Sequence, residues 1–281
     1  MGEEKLNEKE LEELAKFVFS DISQDDKYKN LKNKYKDTKD PIELYHKKSK
    51  STPDAERWTY ALNSYKYYNC FKNYDYDYKN GFMFYKDIKI TADVLTGPDE
   101  IIELAIKKHN LNSSVPLKLF CIVAYTPGNL CPVMKNPGGR RGSAGGIDTC
   151  WYKLAKFLKP NETLNSIETA FGKEGNASNN LRSRCANQMF CLFPGDKLCP
   201  TIIKKNLMLD DYFDDSIKEE WKVPSTIEDS GEYVKFMEQC TLLIVKRGIR
   251  IYYNYQNKLP KGFDLNDTAK ILINDLRSRC N

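Results

Sequence analysis

The stretch from Leu117 to Leu158 constrains this chain most. It opens with an apolar run broken only by Lys118: Leu117, Leu119, Phe120, Cys121, Ile122, Val123, Ala124 and Tyr125. A short run of this kind, rich in β-branched and aromatic residues, reads as a buried strand. The chain then breaks at Thr126-Pro127-Gly128-Asn129, passes Cys131-Pro132, and enters a basic, glycine-rich segment containing Lys135, Arg140 and Arg141. Asp148 follows, ahead of an amphipathic run from Trp151 to Leu158. The expected order is strand, glycine-rich loop, then a helix capped by Asp148, whose carboxylate can accept from the free N–H groups of the first turn.

That order suggests an anion site. Backbone N–H groups ahead of a helix N-terminus can hold a phosphate, and adjacent arginines add donors that never lose their charge. The candidate ligand-binding residues are Asn129, Lys135, Arg140, Arg141 and Asp148. The loop carries neither the G-x-x-x-x-G-K-[ST] nor the G-x-G-x-x-G spacing, so the glycines alone do not identify a nucleotide site. The competing reading is a surface excursion with solvated arginines.

The remainder reads mainly as helix. Asn7 can cap a helix over 7–20, with Leu11, Leu14, Ala15 and Val18 on one face. Asp40-Pro41 restarts a helix, and Gly97-Pro98-Asp99-Glu100 starts another over 98–108. Tyr74, Tyr76 and Tyr78 alternate with polar residues, Asn80-Gly81 is a hairpin signal, and Asp87–Leu95 reads as a further strand. With the Leu117 run this predicts one strand–helix–strand unit. Aromatics interleaved with Lys66, Lys72 and Lys79 could stack bases, but suit better an edge hairpin over a core, the commoner use. Gly231–Asn254 is apolar at i, i+3 and i+4 and predicts a long buried helix, although Ile249–Tyr253 also suits a strand. A last helix is expected over 264–279, burying Ala269, Ile271, Leu272, Ile273 and Leu276. The fold class expected is α+β, a predominantly helical single domain over 1–281 with a small sheet, residues 1–40 forming a helical N-terminal extension.

Composition narrows the function classes. The formal net charge is +5, from 44 basic and 39 acidic residues in 281. Spread over that length it gives nucleic acid only weak support, since a phosphate-binding surface needs clustered charge. No apolar run is long enough to span a bilayer, and the acidic N-terminus lacks the features of a signal peptide, so a cytoplasmic address is expected. The nine cysteines, an odd count with no C-x-x-C pair, suit reduced core thiols and no metal site. The pentapeptide Leu-Arg-Ser-Arg-Cys occurs at 181–185 and again at 276–280, without flanking similarity. Catalysis has few footholds: there is no G-x-S-x-G elbow and no H-E-x-x-H, and His46 and His109 are the only histidines. Cys131 is a candidate nucleophile by its place in the turn, against the commoner structural thiol.

The segments Asp87–Leu95 and Tyr125–Pro132, with Asp148 heading a helix, resemble an uncharacterised bacterial protein family. Its members carry a strand ending in a Gly-Asn-x-x-Pro turn, then an Arg-Gly segment, then an Asp-led helix. The likeness reaches the C-terminal helix, while the extra glycines of 138–146 and the extra cysteines depart from it. The family brings a fold expectation and no activity or cofactor. The expected function is therefore a bacterial or phage-type intracellular binding or defence-related module, with a protein or an anionic small molecule as partner. The alternative is an enzyme or sensor that binds a nucleotide or other phosphorylated ligand at 126–148.

Overall fold

The computed structural model describes residues 6–20, 40–51, 77–79, 82–85, 88–134, 208–213, 224–256 and 262–280. The chain divides into two compact units. The first collects residues 1–60, 98–129 and 222–281, and the second residues 61–97 and 130–221.

The first unit is built of helices: α1 (Glu8–Val18), α2 (Pro41–Ser51), α3 (Pro98–Lys107), α4 (Val115–Val123), α5 (Ser230–Gln256) and α6 (Leu265–Ser278). A 3-10 turn, Pro127–Asn129, follows α4. For this unit the expected α+β fold with a small sheet is corrected, because its described residues contain helices and no strand. The most direct reversal concerns the apolar run from Leu117. It is not a strand but α4, in which Leu117, Leu119, Phe120, Cys121 and Val123 are all buried. A helix apolar on every side loses the 3.6-residue signature, so its sequence looks like that of a buried strand. The signals that decide it lie upstream. Ser114 occupies the N-cap and its hydroxyl accepts from the Leu117 N–H, while Pro116 sits in the first turn. Full burial of each large aliphatic side chain contributes roughly 1.5–3 kcal/mol, enough to override β-propensity.

α5 is the axis of this unit, packing against α1, α4, α6 and the Pro127–Asn129 turn. Asp229 caps it, with Oδ1 accepting from the Glu232 N–H at 2.7 Å. Tyr233, Met237, Cys240, Leu243, Ile244, Val245, Ile249 and Ile251 are buried along its length. The β-branched stretch Ile249–Tyr253 continues the helix, because packing on both sides holds it there. α1 carries a full capping box between Asn7 and Glu10, buries Leu14 and Val18, and sets Phe17 against Tyr252 at 5.3 Å. α6 is capped by Asp264 and buries Ala269 and Leu272. Ile271, expected inside, is 52% exposed. α4 meets α2, α3 and α6, and its Lys118 ammonium donates to the Cys280 carbonyl at 3.0 Å.

The second unit holds four hydrogen-bonded strands in the order β1 (Asp77–Lys79), β2 (Phe82–Tyr85), β3 (Ile88–Val94) and β4 (Leu130–Met134). All neighbours are antiparallel. Lys79 pairs with Phe82, the register of a two-residue connection. The strand–helix–strand unit is overturned, because β3 pairs with β2 and β4 while the Leu117 run is helical.

Candidate functional site

The candidate loop begins at the end of α4, and its first residues face inward. Ala124 to Asn129 form a tight reversal: the Thr126 hydroxyl and N–H both donate to the Val123 carbonyl, at 2.8 and 3.1 Å, and the Asn129 N–H donates to the Thr126 carbonyl at 2.9 Å. Asn129 is fully buried, and its Nδ2 donates to the Ala124 carbonyl at 2.7 Å. It braces the turn from within. Lys135, Arg140, Arg141 and Asp148 lie outside the described residues, as do Cys131's side chain and the expected helix after Asp148.

The reversal is fastened to α5 by close backbone approach. A Cβ on Gly128 would fall 2.0 Å from the Ile244 carbonyl oxygen. Arg247, wholly buried, donates from Nη1 to the Gly128 carbonyl at 2.7 Å. No side chain other than hydrogen fits at Gly128, so this position needs glycine for contact.

The titratable groups of the core are tuned toward their neutral forms. Burial pushes the Cys121 and Cys240 thiols far above the usual thiol range. Tyr45 is buried, hydrogen-bonds Asp99, and lies 3.4 Å from the Tyr125 hydroxyl, with the two rings stacked at 5.6 Å. Burial first, then the neighbouring Tyr125 and Asp99, raises its phenol well beyond the ordinary range. Burial likewise raises Tyr233, whose hydroxyl donates to the Ile101 carbonyl at 2.9 Å. Burial, reinforced by Lys108, lowers His109, which stacks on Tyr233 at 4.1 Å. Its Nε2 is buried without a partner among the described residues. None of these groups is poised as a nucleophile or an anionic base at neutral pH.

A concave feature of this unit, among the described residues, lies elsewhere. A groove of about 370 Å³ opens between α4, α5 and α6. Its apolar lining is Pro116 and Leu119 from α4, Leu242 from α5 and Ile273 from α6. Its polar lining is Glu238, Thr241, Lys270, Asn274 and Arg277. The Arg277 guanidinium meets the Glu238 carboxylate at 2.9 Å. Lys270 is 3.7 Å from Asp267, one turn back on α6, and its side chain is largely exposed. Thr241 is 2% exposed, and its hydroxyl has no hydrogen-bond partner among the described residues. These residues were not legible as a set, because Glu238 and Arg277 are 39 positions apart. The second Leu-Arg-Ser-Arg-Cys copy contains Arg277, but two pentapeptides without flanking similarity read as chance and pointed to no site.

No protein-family model, no curated protein and no solved structure matches the chain. The likeness to a bacterial family therefore rests on its short motifs alone. Among the described residues, no helix is long and apolar enough to cross a membrane.

Proposed function

We propose that the helical unit is a binding module that takes a small ligand in the groove between α4, α5 and α6. The observation that carries this reading is the combination of an apolar floor with a polar rim in one concavity of about 370 Å³, at the small end of the range of ligand pockets, roughly 300–1,000 Å³. The defence-related role is an expectation from the sequence alone.

Ligand-observed NMR with a fragment collection tests the reading. Hits are expected to compete with one another and to vanish in Leu242→Trp, where an indole fills the groove. Asn274→Trp, at an exposed rim position, gives the same readout without touching the core. Hits that persist in both variants, or no hits on the wild type, overturn the proposal.

A second reading keeps an anionic ligand on the basic loop. Its support is the rigid start of that loop, fixed to α5 through Gly128 and Arg247. Thermal shift against nucleotides, comparing wild type with Arg140→Ala/Arg141→Ala, tests it. Stabilisation of the wild type alone supports it, while equal or absent stabilisation counts against it.

A further inference from the structure

We infer that the ligand class of the groove is a small monocarboxylate with an apolar body, its carboxylate at the Lys270–Arg277 rim and its hydrocarbon over Leu119, Leu242 and Ile273. This inference rests on the binding reading above and assigns the chemistry of the same site.

The charge balance of the lining selects an anion. Two cations, Lys270 and Arg277, face the groove against one carboxylate, Glu238. Glu238 already accepts from Arg277 Nη2, so its negative charge is largely answered within the rim. A guanidinium carries five N–H donors, and the contact with Glu238 leaves others for a second carboxylate. The contact of Lys270 with Asp267, at 3.7 Å, is longer than a hydrogen bond, so its ammonium can turn to a ligand with little loss. Asn274 adds an amide on the exposed turn between them. An amine would meet two cations against one carboxylate already held by Arg277, and a neutral alcohol would gain nothing from the cations.

The hydrocarbon half follows from the floor. Pro116, Leu119, Leu242 and Ile273 offer apolar surface from three helices, and covering it with a ligand's methylenes removes it from water. The volume admits a short chain or a single ring.

Thr241 is the independent observation. A buried hydroxyl without a partner is costly, and natural cores rarely leave one. The Thr241 hydroxyl oxygen is fully enclosed, so a ligand in the groove reaches it only through a change of χ1, whose second helical rotamer otherwise offers it a carbonyl one turn back. A carboxylate oxygen within the groove would supply the acceptor that the described protein atoms do not.

Titration of the full chain with hexanoate, 1-hexanol and hexylamine, followed by ¹⁵N chemical shifts, tests the inference. Hexanoate is expected to shift residues of α4, α5 and α6 together and to bind at least tenfold more tightly than 1-hexanol. Hexylamine is expected not to bind. Lys270→Gln, an exposed substitution, should weaken hexanoate about tenfold and leave 1-hexanol unchanged. Thr241→Val should also weaken hexanoate, while the free protein melts at the same temperature or higher. Equal affinity for hexanoate and 1-hexanol, both lost in Asn274→Trp, overturns the carboxylate inference and leaves the groove as a binding site. No binding of any of the three overturns the inference, and the fragment experiment then decides separately whether the groove binds at all.

Discussion

The guanidinium of Arg247 and the carbonyl of Gly128 meet at 2.7 Å inside the protein, 119 positions apart in the chain. The contact joins α5 to the turn that ends α4, and Arg247 is wholly buried. Removing the guanidinium leaves a buried carbonyl short of a donor and a long aliphatic stem to replace. Arg247→Ala should therefore lower stability by about 3 kcal/mol or more, and Arg247→Met, which keeps most of the stem, by clearly less. Urea unfolding of the two variants measures the difference, and equal losses would show that the stem contributes nothing.

Gly128 and Gly248 face each other across the same contact, yet they should respond differently to alanine. At Gly128 the new Cβ meets the Ile244 carbonyl oxygen at 2.0 Å, so backbone must move, and a loss of at least about 3 kcal/mol is expected. At Gly248 the Cβ meets the Val18 methyl at 3.3 Å, which a small side-chain shift relieves. The gain in helix propensity, about 1 kcal/mol, offsets that strain, so Gly248→Ala should stay within about 1 kcal/mol of wild type. Denaturation midpoints rank the pair.

His109 makes stability pH-dependent. Its folded pKa lies below the ordinary 6.5, because burial disfavours the charged ring and Lys108 repels it. The unfolded chain then takes up a proton that the folded chain refuses. The contribution is complete above pH 6.5 and is lost as pH falls from there toward the folded value. Urea midpoints at pH 7.5 and 5.5 should fall more in wild type than in His109→Phe, which retains the stacking on Tyr233. Identical slopes would remove His109 from the account.

The hydroxyl of Tyr45 bonds a carboxylate, whereas its contact with Tyr125 is long. Tyr45→Phe should cost about 1.5–3 kcal/mol, the range for hydrogen bonds to charged groups, and Tyr125→Phe less than about 1 kcal/mol. Thermal melts of both variants and of Asp99→Asn check the order, in which Asp99→Asn should fall between them.

Cys121, Cys240 and Cys280 are free and buried, and burial raises each thiol. They should resist a thiol reagent in the native protein and react on unfolding. Mass spectrometry after brief labelling, with and without urea, assigns the protected positions, and rapid native labelling of Cys240 would contradict the packing of α5.

Asn7 and Asp40 were legible as helix caps, and each side chain accepts a backbone N–H in the structure. Ser114, Asp229 and Asp264 cap helices in the same way, but were not recognised as caps from the sequence. The interior of α4 was not legible, because its apolar residues cover every face and periodicity carries no information there. Ile271 misled in the opposite sense: it looked buried from composition, but α6 turns Ala269 and Leu272 inward. Of the residues chosen for an anion site, Asn129 is the one described, and its amide is spent on the turn. The groove escaped notice because its walls come from three helices that tertiary packing alone brings together.

The helical unit draws on residues 1–60, 98–129 and 222–281, and the axis on which its other helices close is α5. Synthesis on a ribosome delivers the chain from one end, so α1 to α4 emerge before the helix they pack against has been made. Closure of this unit must wait for the last stretch, a long loop to close and a slow one. A nascent chain paused before residue 230 would hold α4 ready without its axis, and such exposed apolar helices are what chaperones take up and proteases find.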